Sequence, residues 1–499
     1  KRIDIRSFRG YERKSFGIDE KLTVVVGNNT AGKTALLQAL QVAMGAYLAS
    51  LKALPNEQAY RHNFTKDDIF QRWDVEKRDF YKNDESTQVE VDAVFFQTVH
   101  AGRDGVHLEE VPVRWWRELR GNKTTHSIEC AGELIEQVRR METMRETSHE
   151  NAVYPLVLSF GAKRIDNQYR ATKKTKERTS KIAQAYKSAL RETVDFQSAF
   201  DWLYRYEKNL KKEQGFEGTY EAFMDALSKA IPALTDISVD SKNNELTAKV
   251  TVRDQEPTYQ TFDHMSDGFK SVICIVAEMA HRCIELNGFL GRDAVSKTPG
   301  VVVIDELDLY LHPRWQRHLL DDFQKAFPMI QFVVTTHSPF IIQSVRSRNL
   351  ITLDGISDAT DPIYRSIEEI VTSEMNLDTP RSQTYVSMLS MAPPPPSGPG
   401  GTRSRSASGR HVASSNARRS LSTATATATA YSHNTGHRSH LPGGSGCPRG
   451  QCSGSRGSRC SSADTRWCTW RSPSRGDGRQ TPAAKMPVRR SRGPTRGPH

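Results

Sequence analysis

The 499-residue sequence contains no apolar run approaching the roughly 18 residues that a membrane-spanning helix requires, which argues against a helical membrane protein. It also lacks a charged-then-apolar leader at its N-terminus, so the cytoplasm is the expected compartment and no membrane partner is expected. The first residue is Lys1 rather than Met, and a short piece of the natural start is expected to be missing. Cysteine is sparse: Cys130, Cys274 and Cys283 stand alone in the body, and the last two sit in an apolar helical stretch that reads as core. Cys447, Cys452, Cys460 and Cys468 are separated by four, seven and seven residues, which is not a zinc-ligand spacing. The final 109 residues are almost without acids and without Ile, Leu, Val or Phe.

That last absence divides the molecule. The formal net charge is +12, but of 70 Lys and Arg and 58 Asp and Glu, 18 and 2 lie in residues 391–499. The remaining 52 basic and 56 acidic residues leave the body at −4, so composition does not support a globally basic nucleic-acid binder. The tail holds 12 of 23 prolines and four of the large aliphatic or Phe side chains, too few to offset the entropy of ordering, and is expected to be disordered. Its Thr-Ala alternation from Thr423 to Ala428 and its Arg/Ser/Gly/Pro bias resemble GC-rich DNA translated out of frame, with the break near residue 390; a basic arm for nucleic acid is the functional alternative.

The body reads as strands and helices in alternation. Ile3 to Phe8 alternates apolar and polar, Leu22 to Val26 is a buried strand, and Leu36, Leu37, Leu40, Ala43 and Tyr47 give helical spacing from Lys33 to about Leu51. Val89 to Phe96 and Val111 to Trp116 suggest an antiparallel patch, followed by a helix over Glu133 to Thr147 and a central strand over Tyr154 to Phe160. Residues 163–231 read as mostly helical without a sustained heptad, and residues 236–262 as a hairpin. A helix over Ser266 to Leu286 precedes buried strands at Val301 to Ile304 and Phe332 to Thr335, with a helix Pro313 to Phe327 between them. Continuous apolar strands alternating with helices predict a parallel sheet covered on both faces.

Four motifs carry chemistry. Gly27-Asn28-Asn29-Thr30-Ala31-Gly32-Lys33-Thr34 fits G-x-x-x-x-G-K-[ST] between a strand and a helix. Its backbone N–H groups would face phosphate, Lys33 would reach the β and γ phosphates, and the Thr34 hydroxyl would ligate Mg²⁺. Val301-Val302-Val303-Ile304-Asp305-Glu306 places two carboxylates at a strand's carboxyl end. Asp305 would hold Mg²⁺ and Glu306 would take a proton from water; alone, the pair reads equally as a turn cap. Thr336-His337-Ser338-Pro339 follows the next strand, where His337 could contact the γ-phosphate. Met265-Ser266-Asp267-Gly268-Phe269-Lys270 opens a helix 39 residues before Asp305; read alone it is an ordinary N-cap.

Together these residues resemble the Walker A, signature, Walker B and His-switch elements of ABC-type ATPases. The run Asp305-Glu306-Leu307-Asp308-Leu309-Tyr310-Leu311-His312-Pro313-Arg314-Trp315-Gln316 resembles more closely the single-chain ATPases of the AAA group related to SMC, RecF and OLD proteins, particularly the ATPase subunits of Septu and retron antiphage systems. Ile5-Arg6-Ser7-Phe8-Arg9-Gly10 matches that group's opening strand. The resemblance covers residues 1 to about 390 and is vague from 165 to 235. It implies an α/β P-loop head with a parallel sheet, an antiparallel β lobe and an inserted helical lid. The expected domains are 1–162 (Walker A and antiparallel lobe), 163–235 (helical insertion), 236–390 (signature, Walker B and His switch) and 391–499 (tail).

The resemblance further implies ATP and Mg²⁺ as ligands, and a homodimer or higher oligomer in which Ser266 and Gly268 of one copy bind the γ-phosphate held by the other. Glu306 is then the catalytic base, His337 a phosphate sensor, and Lys33 part of the catalytic set. The setting it suggests is antiphage defence or DNA surveillance. Asp267 and Phe269-Lys270 replace the Gly and Gln of transporter subunits, which argues against a transporter. No arginine finger is identifiable, which argues against an AAA+ ring. Gln71, Gln97 and Asp68 are candidates for the Q-loop position. The tail holds too few acids for a metal-dependent nuclease domain, so any nuclease would be a partner effector protein. Nine basic residues between Lys163 and Lys187, with Tyr169 and Tyr186 interleaved, are either a DNA- or RNA-contacting surface or a solvated helix face. A nucleotide-dependent scaffold with little turnover is the rival reading of the whole.

Overall fold

The computed structural model describes residues 1–82, 85–102, 105–121, 123–147, 151–162, 180–209, 218–240, 245–251, 256–354 and 360–391. Residues 163–179 of the basic segment and residues 392–499 of the tail, including its four cysteines, lie outside the described residues.

Five strands form a parallel sheet in the order Leu350–Thr352, Leu22–Val26, Ile330–Thr335, Gly300–Ile304, Leu156–Phe160. Four of the five sequences are rich in Val, Ile, Leu and Phe because both faces of the sheet are covered there, while the edge strand Leu350–Thr352 is partly exposed. Val24, Val302, Val334 and Leu156 are fully buried. Register pairs Ile304 with both Phe160 and Val334, and Thr352 with Val26. The parallel arrangement brings the carboxyl ends of all five strands to one edge, the edge at which α/β sheets present ligand-binding groups.

A second sheet is antiparallel, in the order Tyr11–Gly17, Arg2–Phe8, Gln88–Gly102, Gly105–Arg120, Lys123–Thr124. The helix Lys33–Ser50 lies between the two sheets, and Leu36, Leu37, Ala39 and Ala46 are buried. The helix Asp267–Asn287 is equally central, packed by the short helices Lys181–Tyr186, Phe196–Asn209 and Thr219–Ala230. One of its ion pairs is internal: Arg282 pairs with Glu278 at 2.7 Å, both almost fully buried, and the guanidinium also donates to the carbonyls of Ala185 and Lys187. Buried charge is tolerated only when so bonded, so this pair ties the helix to the segment around Tyr186. Cys274 and Cys283 lie in the core of the same helix, as expected.

The parallel sheet, the antiparallel lobe and the helical covering are those expected from the sequence. Three local expectations change. Residues 236–262 form a three-stranded meander, Leu234–Asp240, Glu245–Val250 and Thr258–Thr261, rather than a hairpin. The helix Pro313 to Phe327 is two helices, Pro313–Gln316 and Leu319–Ala326, with Arg317 between them standing over the Phe340 ring at 5.1 Å. The helix expected from Glu133 starts at Ile128 and bends at Ala131. Among the described residues no helix is long and apolar enough to cross a membrane.

Candidate functional site

The loop after the strand Leu22–Val26 is shaped by contacts from three directions. Gly32 has φ 101°, and a Cβ there would meet the Tyr11 hydroxyl at 2.7 Å; the same hydroxyl donates to the Gly32 carbonyl at 3.0 Å. Glycine is therefore required by both backbone and space, and Tyr11 anchors the loop to the antiparallel sheet. Burial pushes the Tyr11 phenol up to about 12, so it stays a neutral donor. Thr30 also has positive φ, 100°, and Ala31 N–H donates to the Asn28 carbonyl at 3.1 Å, which turns the backbone. Asn28, Asn29 and Thr30 are exposed. Lys33, 8 % exposed, curls back so that its ammonium donates to the carbonyls of Gly27 and Asn28 at 2.7 and 2.9 Å. Its pKa is lowered, chiefly by desolvation; Asp354, then Asp305, Glu306 and Asp308, oppose that shift.

Beside this loop stands the acidic pair. The Thr34 hydroxyl donates to Asp305 Oδ2 at 3.1 Å, across 271 residues of sequence. Asp305 Oδ1 accepts from the Thr335 hydroxyl, whose oxygen in turn accepts the Glu306 N–H at 2.7 Å. Glu306 has φ 49°, a left-handed backbone that costs a non-glycine residue about 1–3 kcal/mol and persists where the surroundings over-determine it. The next strand end supplies His337, whose backbone N–H donates to Asp308 Oδ1 at 3.2 Å; the Thr336 hydroxyl donates to the same oxygen at 2.6 Å. Gln316 links these turns, donating to the Leu311 carbonyl at 2.9 Å and accepting from the Ser338 hydroxyl at 2.6 Å.

The structure thus brings Gly27 to Thr34, Asp305, Glu306 and His337 to one edge of one sheet. Among the described residues no hydrogen bond joins Ser266 or Gly268 to that group. Ser266 is exposed and caps the helix Asp267–Asn287, accepting from Phe269 N–H at 3.5 Å. Gly268 is buried: a Cβ there would meet the Tyr310 carbonyl oxygen at 2.5 Å. Close packing within the chain thus accounts for the glycine, and Phe269 meets Trp315 edge-on at 4.0 Å beside it.

Of the Q-loop candidates, Asp68 pairs with Arg9 at 2.7 Å and closes a capping box with Thr65. Gln71 is exposed on the small hairpin Gln71–Asp74 with Asp79–Lys82, and Gln97 lies in the long strand Gln88–Gly102. Among the described residues no hydrogen bond joins any of the three to the loop. In the basic segment, Lys181 and Lys187 are exposed, but Tyr186 is not a surface aromatic. It is fully buried, hydrogen-bonded to Tyr47 at 2.8 Å and to the Pro155 carbonyl at 2.6 Å. Four site residues were not singled out for a role in the sequence: Thr335, Asp308, Gln316 and Asp354. Thr335 and Asp308 adjoin recognised motifs, which is a usable signal; Asp354 carries none.

The donor set is one of hard oxygens, a hydroxyl and a carboxylate side by side, which suits Mg²⁺ held partly by water and substrate phosphate. Among the described residues no group of three or more His, Cys, Asp or Glu is arranged to hold a metal by itself.

Residues 22–343 match the family model described as "AAA domain, putative AbiEii toxin, Type IV TA system". The chain is 23 % identical over 397 residues to "Retron Vc95 probable ATPase" of Vibrio cholerae serotype O1 biovar El Tor, covering 70 % of this chain and 72 % of that protein. It is 33 % identical over 145 residues to "Septu protein PtuA" of Bacillus thuringiensis, covering 26 % of this chain and 35 % of that protein. Among solved structures, an SMC head bound to the C-winged helix domain of ScpA aligns with 69 % of this chain and 92 % of its own, at 14 % identity and a TM-score of 0.39.

Proposed function

The chain belongs to this AAA-domain family of P-loop proteins, and from that membership we propose that it is an ATPase that binds and hydrolyses ATP as a dimeric switch. The observation that carries the reading is the meeting of the Thr34 hydroxyl with the Asp305 carboxylate, at 3.1 Å, beside the Gly27–Thr34 loop. Loop amides and the amino end of the helix Lys33–Ser50 provide a cradle for phosphates. Lys33 is poised to exchange its two carbonyl partners for phosphate oxygens. Thr34 and Asp305 would hold Mg²⁺, which when bound neutralises charge on the phosphates.

Glu306 acts as the base that takes the proton of the attacking water, and its strained backbone fixes the carboxylate for that task. His337, tethered through Asp308, contacts the γ-phosphate. Hydrolysis is an in-line displacement in which positioning and charge stabilisation carry most of the rate. Ser266, exposed at a helix start, completes the site of a second copy together with Gly268. Residues 163–235 are assigned as the helical insertion, and the remainder of 1–390 as the head. The names of the relatives, a retron ATPase and a Septu protein, support antiphage defence as the setting, with a partner effector, such as a nuclease, acting downstream. Nucleic acid would meet the segment around Lys163–Lys187.

The test compares phosphate release by the full chain with that of Glu306→Gln, and weighs both by light scattering with and without ATP and Mg²⁺. Loss of a general base predicts a fall of about 10²-fold or more, with the variant accumulating as an ATP-dependent dimer. A difference under about twofold would favour a nucleotide-dependent scaffold with little turnover.

A further inference from the structure

The nucleotide loop already has an anion against it. Asp354 follows the edge strand Leu350–Thr352, and its two carboxylate oxygens accept the Asn28 N–H at 3.1 and 2.9 Å. The approach is close: a Cβ at Gly27 would come within 2.9 Å of Asp354 Oδ1 and 3.2 Å of the Leu353 Cβ. The positive φ of Gly27 is what requires glycine; the absence of a Cβ also lets Asp354 approach this closely. Of the carboxylates that favour the charged Lys33 ammonium against desolvation, Asp354 acts most strongly, ahead of Asp305, Glu306 and Asp308.

This carboxylate is held by the fold although it faces solvent. Thr352 pairs with Val26, and Leu353 N–H donates to the Val26 carbonyl at 3.0 Å. The Thr352 hydroxyl donates to Glu374 at 2.8 Å, and Glu374 is buried against the Arg365 guanidinium. A buried ion pair therefore sets the edge strand, and the strand sets the acid. The other three carboxylates near Lys33 sit on the Asp305–Asp308 turn and are used by the hydrolytic reading. Asp354 comes from a different part of the chain and is used by none of it.

We propose that Asp354 is the residue that sets this loop's affinity for nucleotide: a fixed negative charge at the loop's mouth that repels incoming phosphate and keeps nucleotide binding loose enough for exchange. The inference rests on the reading that the loop binds ATP. Its physical basis is like-charge repulsion between a carboxylate and a polyphosphate in a partly solvated site, which salt screens. The repulsion grows with the number of phosphate charges, so it acts more on a triphosphate than on a diphosphate. Asp354→Asn is the informative change, because the amide oxygen can still accept the Asn28 N–H while the charge is gone.

The experiment is isothermal titration calorimetry of the full chain and of Asp354→Asn, with Mg²⁺ and either the non-hydrolysable triphosphate AMP-PNP or ADP, at low and high salt. The expected result is a triphosphate Kd lowered about threefold to tenfold in the variant. ADP should gain less, and both gains should shrink toward parity at about 1 M salt. A gain smaller than threefold, a loss of affinity, or a gain equal for both nucleotides and indifferent to salt overturns the proposal. Should Asp354→Asn fail to fold, Asp354→Ser is read by the same criteria. Wild type binding AMP-PNP while the variant shows no gain refutes the role of Asp354 alone; binding by neither protein refutes the ATPase reading with it. Binding by the variant only would support both.

Discussion

The Asp308 carboxylate holds both the Thr336 hydroxyl, at 2.6 Å, and the His337 N–H, at 3.2 Å, on one oxygen. The turn after the Asp305-Glu306 pair is thereby joined to the turn that presents His337. Asp308→Ala should release the His337 backbone without removing any hydrogen bond of the loop, lowering kcat about tenfold while nucleotide affinity changes by less than kcat does. Phosphate release and nucleotide titration measured on the same preparation check this. An unchanged kcat would show that His337 needs no such tether.

Thr335 serves two partners at once, donating to Asp305 and accepting from Glu306 N–H at 2.7 Å. Thr335→Val keeps the shape and strands both. Urea denaturation should show a loss of about 1–3 kcal/mol, the usual cost of an unsatisfied buried group, and the Mg²⁺ concentration for half-maximal hydrolysis should rise. Thr335→Ser should restore both. A valine variant as stable and as Mg²⁺-responsive as wild type would contradict the assignment.

Gly268 and Ser266 are two residues apart and predict opposite behaviour. Gly268→Ala places a Cβ 2.5 Å from the Tyr310 carbonyl oxygen, a backbone clash, and should destabilise the fold by about 1–3 kcal/mol. Ser266 is exposed, so Ser266→Arg should leave Tm within about 2 °C of wild type. In a Glu306→Gln background it should nonetheless abolish ATP-dependent dimerisation. Dimerisation that survives Ser266→Arg would remove Ser266 from the composite site.

His281 lies in the helix that Ser266 caps, its side chain 12 % exposed, and desolvation is the main cause that depresses its pKa to about 3, from the usual 6.5. The folded state therefore holds it neutral while the unfolded chain protonates below pH 6.5. Its contribution to stability is present above that pH and is lost progressively as pH falls toward 3. Between pH 7 and 5 this one group should cost roughly 2 kcal/mol. His281→Gln removes the titration, so its unfolding free energy should fall by about that much less over the same interval. Parallel pH dependences for the two proteins would rule the residue out. His62 and His126, each lowered to about 4 mainly by burial, should steepen the acid limb of both proteins alike.

Much of the site was readable from local pattern. The Gly27–Thr34 loop, the strand into Asp305-Glu306 and the strand into Thr336-His337 are each written in consecutive residues, because backbone turns and continuously buried strands are local demands. The Tyr11–Gly17 strand was not, since its middle is Glu-Arg-Lys-Ser and it is largely exposed at the sheet's edge. Nor was the strand Leu350–Thr352, three residues long with only partial burial. Tyr186 was misplaced because an aromatic among lysines looks superficial until its hydroxyl is seen between Tyr47 and Pro155.

The sequence alone determined that a phosphate-shaped loop exists, that two acids end a buried strand, and that a parallel α/β sheet carries them. Those properties depend on a few neighbouring residues and on the period of burial. Tertiary structure decided which strand ends are neighbours. Thr34 meets Asp305 and Asn28 meets Asp354 across 271 and 326 residues because their strands lie close in one sheet. It also decided that Gly268 answers to Tyr310. Strand order follows from how all the covering helices pack together, and no local stretch of sequence contains that information.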